Sequence, residues 1–206
     1  MRPVNTVTVA LTGASGLPFG LSLIERLAES GRKVFVLYSQ AAQIVARQEM
    51  DLAIPSRPAD FALWLQQRTG AADGQIEVFG REEWFAPVAS GSNPADAMVI
   101  CPCSMGTLAA IANGMSDNLI ERAADVSIKE GRKLVLVPRE TPLSVIHLEN
   151  MLRLARLGAV ILPPVPAFYT KPQTLDDMID FIVSRILDQL GIDNQLVARW
   201  GAPAPE

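Results

Sequence analysis

Residues 96–140 read DAMVICPCSMGTLAAIANGMSDNLIERAADVSIKEGRKLVLVPRE. Ala97–Ile100 is short and wholly apolar, which suits a strand buried on both faces of a parallel sheet. The run from Cys101 to Thr107 breaks that pattern, and Leu108–Ala112 carries helical apolar spacing. A polar segment with scattered charges follows, and then a second apolar strand ending at Arg139 and Glu140. Strand, polar turn and helix in that order put Ser104 and Thr107 at a helix N-terminus, where the first N–H groups have no intrahelical partners. Such a place suits an anionic or polar ligand. Ser104 equally suits a helix cap, and this stretch alone leaves both roles open.

The N-terminal part repeats the arrangement. Val7–Leu11 is a β-rich apolar run, followed by Thr-Gly-Ala-Ser-Gly (12–16) and a predicted helix from Leu17 to Glu29. Glycines at 13 and 16 let backbone approach a phosphate, and Ser15 adds a hydroxyl, but the spacing is not that of the dinucleotide fingerprint. Lys33–Tyr38 is the second strand, with Ser39 at its C-terminal end, and residues 41–50 form a helix carrying Glu49. Glu49 is either a functional carboxylate or a solvated helix end. Residues 54–94 are the least regular part: 59–67 reads as helical, 75–79 as a possible strand, and 84–93 (WFAPVASGSN) as a loop. Trp84 there offers a stacking surface, and Ser90 an anion contact.

Downstream, Thr141-Pro142 signals the start of a helix over 143–157, which Gly158 closes. Residues 159–162 form the last core strand. The stiff proline-rich exit PPVPAFYTKP (163–172) carries Tyr169, and 175–190 is an amphipathic helix bearing Arg185. Trp200 in the tail is large and apolar for a terminus, which predicts that an arm over about 191–206 docks, on a neighbouring subunit. Five strands alternating with helices predict a single α/β domain with a doubly wound parallel sheet and helices on both faces. The flavodoxin-like order places the switch point between the first and third of these strands. Gly13–Gly16, Ser39, Ser104–Thr107 and Arg139 then converge on one crevice.

Composition narrows the function. The chain has 206 residues and a net charge of −4, which argues against nucleic acid as a partner. Hydrophobic residues make up 49%, in keeping with extensive subunit contacts or a large parallel-sheet core. The apolar stretch 7–23 is cut by Gly13, Gly16, Pro18 and Gly20, so neither a signal peptide nor a membrane span is expected, and the cytoplasm is the default location. Cys101 and Cys103, the only cysteines, lack redox or zinc-site spacing and read as packing residues. His147 is the only histidine, so no metal centre is expected.

With TGASG, the long run CPCSMGTLAAIANGMSDNLIERAADVSIKEGRKLVLVPRETPLSVIHLENM and PPVPAFYTKP in view, the chain resembles the UbiX flavin prenyltransferases. These were formerly described as aromatic-acid decarboxylases. The resemblance is densest over 98–171 and weakest over 52–83, and Phe19 stands where the family more often has Tyr. It implies a metal-independent, cytoplasmic enzyme of dodecameric assembly that joins the prenyl group of dimethylallyl monophosphate to N5 and C6 of reduced FMN. Phosphate leaves, and prenylated FMN serves a UbiD-type decarboxylase, often in ubiquinone synthesis.

By motif, the resemblance assigns Gly13, Ala14, Ser15, Ser39, Ser104, Met105, Gly106, Thr107 and Arg139 to FMN. It assigns Ser90, Arg122, Lys129, Glu140, Tyr169 and Arg185 to dimethylallyl phosphate, and puts Ser15 and Glu49 near the reacting flavin face. Ser15, Glu49, Glu140, Lys129 and Arg122 are thereby the catalytic candidates, and Trp84 and Trp200 an aromatic wall. Two alternatives remain open: an FMN-dependent cysteine-decarboxylase relative, and a non-catalytic flavin-binding regulatory subunit. The first uses a histidine in the N-terminal half and a PxxN-type motif, and this chain has neither.

Overall fold

The computed structural model describes residues 3–201. Its apolar runs form six strands: β1 (Thr6–Leu11), β2 (Lys33–Tyr38), β3 (Ile76–Phe79), β4 (Ala97–Cys103), β5 (Lys133–Pro138) and β6 (Val160–Ile161). The helices are α1 (Leu17–Glu29), α2 (Gln40–Met50), α3 (Pro58–Thr69), α4 (Met105–Ala112), α5 (Leu119–Lys129), α6 (Val145–Arg156) and α7 (Leu175–Leu190). The strands pair in the order β3-β2-β1-β4-β5-β6, all parallel.

Strand alternation assigns each residue to a face. Val7, Val9 and Leu11 of β1 pack with Ala97, Val99 and Cys101 of β4 beneath α1, α2, α3 and α7. Ala10, Met98, Ile100, Leu134 and Leu136 point the other way, beneath α4, α5 and α6. Residues on both sides of the central strands are fully buried, which accounts for the chain's high apolar content. Truncating a core residue such as Ile24 or Leu187, where α1 meets α7, is expected to cost about 2–5 kcal/mol.

Four local readings are corrected. The expected five strands are six: the possible strand at 75–79 is present as Ile76–Phe79, so β3 extends the sheet at its edge and the switch point falls between β1 and β4, still the first and third of the five core strands. β4 continues to Cys103 because its ladder with β5 resumes after an irregularity beyond Ile100. The polar segment contains α5: Asn118 accepts from the Ile120 and Glu121 N–H groups at 3.0 and 3.1 Å, and the apolar face beyond is buried. Finally, α6 starts at Val145 rather than after Thr141, because Ser144 and His147 close a capping box. The single histidine is thus a structural residue whose Nδ1 accepts the Ser144 N–H at 3.2 Å.

Candidate active site

At the C-terminal ends of β1 and β4 the two neighbouring connections diverge, which opens a crevice. Thr12, fully buried, ties its walls together: its hydroxyl donates to the Pro102 carbonyl at 2.8 Å and accepts the Ser104 N–H at 2.8 Å. The Ser39 N–H bonds the Leu11 carbonyl at 3.0 Å, and the Arg139 N–H the Cys103 carbonyl at 3.3 Å. The turn 12–16, Ser39, Ser104–Thr107 and Arg139 are therefore brought to one sheet edge, as their sequence positions predict.

The turn is held by close packing and by a carboxylate. A Cβ on Gly13 would collide with that of Ala41 in the first turn of α2. Gly16 has φ +106°, a conformation that favours glycine, and so sets the entry into α1, where Pro18 occupies the first turn. Its N–H donates to Glu49 Oε2 at 3.1 Å. Glu49, in the last turn of α2, is thus hydrogen-bonded to the glycine turn rather than simply solvated.

Ser104 is the cap of α4: its hydroxyl accepts the Thr107 N–H at 3.2 Å and donates to the Thr107 hydroxyl at 3.0 Å. Gly106 faces open space, so backbone there is accessible to a ligand. Between this helix start and Ser39, which caps α2 in the same manner, lies a cavity of about 310 Å³. Tyr38, Gln40, Arg81, Asn118 and Ile120 complete its lining with Ala41 and Thr107. Arg81, Asn118 and the tie residue Thr12 were not anticipated. Arg81 and Asn118 enter through β3 and α5, the elements least legible in sequence. An open glycine-lined helix start, two hydroxyl-bearing caps and a nearby arginine fit a phosphorylated, planar group such as FMN.

The thiols beside this edge are inert. Burial pushes Cys103 up to about 12, and burial together with Cys103 raises Cys101 further.

The remaining candidates lie elsewhere. Arg122 on α5 donates Nε to the Ala89 carbonyl at 3.0 Å and pairs with Asp125 at 2.8 Å. This anchors the loop carrying Ser90, whose hydroxyl meets that of Ser92 at 2.9 Å. Lys129 pairs with Glu130 at 2.5 Å and lies against Gly91 of the same loop. At 1.5 Å per residue, Lys129 is about 10 Å along α5 from Arg122, towards the start of β4 where Arg132 faces Asp96. Trp84 belongs to this loop region and is partly exposed.

Tyr169, Arg185 and Trp200 lie on the opposite face of the sheet. Arg185 on α7 pairs with Asp188 at 2.8 Å, and Tyr169 meets Trp200 edge-on with ring centroids 4.8 Å apart. Glu140 follows β5 at the crevice edge, where its carboxylate accepts the Thr141 N–H at 3.1 Å. One chain therefore presents three separate groups: the crevice edge, the α5 face and the α7 face.

A Flavoprotein family model matches residues 1–187. The flavin prenyltransferase UbiX of Pseudomonas aeruginosa is 56% identical over 201 residues, spanning 98% of this chain and 96% of that protein. A crystal structure of AnUbiX (PadA1) in complex with FMN and dimethylallyl pyrophosphate has a TM-score of 0.85 and 42% identity, covering 98% of this chain and all of that one. A dodecameric, FMN-dependent UbiX-like decarboxylase from Escherichia coli O157:H7 superposes with a TM-score of 0.83 at 42% identity, covering 96% and 100%. This chain belongs to the Flavoprotein family and, within it, to the UbiX flavin prenyltransferases.

Proposed function

We infer that this chain is a flavin prenyltransferase that joins the dimethylallyl group of dimethylallyl monophosphate to N5 and C6 of reduced FMN, releasing phosphate. The observation that carries the reading is the crevice edge, with hydroxyl-capped helix starts, in a chain 56% identical to a UbiX enzyme. Gly13, Ala14, Ser15, Ser39, Ser104, Met105, Gly106, Thr107 and Arg139 hold FMN in this account. When bound and reduced, FMN supplies the electron-rich atoms to which the prenyl group is attached.

The chain's own residues handle the leaving group. Breaking the allylic C–O bond develops negative charge on phosphate oxygen and positive charge on carbon. Arg122, Lys129 and Arg185 take the first, with hydrogen bonds from Ser90 and the Tyr169 hydroxyl. Trp84 and Trp200 offer aromatic faces to the second. Glu140 acts as general acid towards phosphate, and Glu49 with Ser15 moves protons at the flavin face. No metal is assigned a part.

Because Lys129 and Arg185 lie on opposite faces of one sheet, a single donor site needs residues from separate copies of the chain. This supports a homo-oligomer, dodecameric as in the Escherichia coli relative. The arm after α7, expected from the sequence to dock on a neighbour, packs through Trp200 on the α7 side of its own chain. Residues 202–206 of that arm lie outside the described residues. Exposed Val145, Ile146, Leu148 and Leu152 on α6 supply an apolar surface for such contacts. Among the described residues no helix is long and apolar enough to cross a membrane, and two free thiols fit the reducing cytoplasm. The product is taken to serve a UbiD-type decarboxylase. Anaerobic incubation with reduced FMN and the donor, followed by flavin mass analysis, tests the reading.

A further inference from the structure

After α7 the chain doubles back over the helix it has just left. Gly191 turns it with φ 70°, and Asn194 Nδ2 then donates to Asp188 Oδ1 at 3.2 Å. Arg199 clasps the same carboxylate in a fork, Nη1 to Oδ2 at 3.0 Å and Nη2 to Oδ1 at 2.9 Å. Arg185, one turn before Asp188, donates Nη1 to Oδ2 at 2.8 Å. The Asp188 side chain is only 17% exposed, against 49% for Arg185 and 60% for Arg199. An ordinary surface i,i+3 pair leaves its carboxylate in water with one partner. Here one shielded carboxylate gathers four donors from a helix and from the segment beyond it.

The fork has a consequence one residue further on. Bidentate pairing fixes the plane and position of a guanidinium, and so tethers the segment that carries it. Trp200 follows Arg199 directly and meets Tyr169 edge-on, while Tyr169 meets Phe181 of α7 edge-on at 6.1 Å. Tyr169, Arg185, Asp188, Arg199 and Trp200 together border a small cavity of about 100 Å³. Arg185 spends one N–H on Asp188, and its other donors have no partner among the described residues.

We propose that Asp188 is a positioning residue for capture of the allylic phosphate: it aims Arg185 and, through Arg199, holds Trp200 against Tyr169. Donor binding and docking of the C-terminal segment are then one coupled event. The proposal rests on the reading of Arg185 and Tyr169 as donor contacts.

The test is a double-mutant cycle on the assembled enzyme with saturating reduced FMN, reading KM and kcat for dimethylallyl monophosphate. Arg199→Ala and Asp188→Asn should each raise KM about tenfold, and the double variant should match Asp188→Asn rather than multiply the two effects. FMN affinity should stay within about twofold in all three, which a general loss of folding would not allow. Arg199 is exposed, so its variant remains informative even if Asp188→Asn folds poorly. Arg185→Ala serves as the reference and should raise KM at least as much. If Arg185→Ala impairs KM while Arg199→Ala does not, or if the two effects multiply, the positioning role is wrong and the donor-site reading stands. If Arg185→Ala itself leaves KM unchanged, the donor-site reading falls and the proposal falls with it.

Discussion

Glu49 accepts the Gly16 N–H at 3.1 Å, joining the last turn of α2 to the glycine turn that follows β1. The bond engages one carboxylate oxygen and leaves the other for the proton transfer proposed for Glu49. Glu49→Gln keeps an acceptor for Gly16 but cannot carry a proton. It should preserve FMN affinity within a few-fold and lower kcat by about 10²-fold or more, as expected for loss of a general acid–base group. Flavin titration and single-turnover absorbance under anaerobic conditions check both numbers.

Ser104 caps α4 through the Thr107 N–H, and the proposed function gives its hydroxyl a second duty as an FMN contact. Ser104→Ala should therefore cost about 1 kcal/mol of stability from the lost cap and also weaken FMN binding. Ser104→Gly restores much of the capping geometry and not the hydroxyl. Denaturation and titration of the two variants separate the duties: stability should recover in the glycine variant while affinity should not.

Lys129 and Glu140 are assigned to the leaving phosphate and not to the flavin. Lys129→Ala and Glu140→Ala should each reduce turnover by about 10²-fold with FMN affinity nearly unchanged. Equal losses in both measurements would remove these residues from the donor site.

The placement of Lys129 and Arg185 on opposite faces of the sheet gives a sharper test of assembly. Co-expressed Lys129→Ala and Arg185→Ala chains should form mixed oligomers with activity near one quarter of the native sites, because some sites then draw both intact residues from different copies. Each variant alone should be nearly inactive. Mixed oligomers no better than the single variants would mean that both residues come from one chain.

Cys103 bears on stability at alkaline pH. Burial raises its folded value from the ordinary 9.0 to about 12, so the folded state holds the proton longer than the unfolded chain. Its contribution is complete below pH 9 and is lost as pH climbs from 9 to about 12. Cys103→Ala should lessen the fall of stability across that window, measured by urea denaturation. Iodoacetamide should leave both thiols of the folded protein unlabelled at pH 8 and label both in denaturant.

Much of this was legible in sequence because buried parallel strands and glycine turns leave strong local marks. KVFVLY and the 175–190 helix match β2 and α7 residue for residue. What was hidden depended on contacts between distant residues. The strand character of Cys101–Cys103 comes from pairing with β5, and Pro102 masks it locally. α5 was obscured by charges that lie on its outer face, although Asn118 was a readable cap. Arg81 reaches the crevice only through the edge strand β3, and Asp188 owes its partners to a segment that folds back. The split of the candidate donor residues between two faces has no signature in a single sequence, since it depends on which side of the sheet α5 and α7 pack.

The central claim is most directly tested on the flavin itself. The purified protein is incubated anaerobically with reduced FMN and dimethylallyl monophosphate, and the released flavin is weighed by mass spectrometry. The account predicts a gain of one C5H8 unit with release of inorganic phosphate in equal amount. Tightly bound FMN recovered with its mass unchanged, beside intact donor, would contradict it.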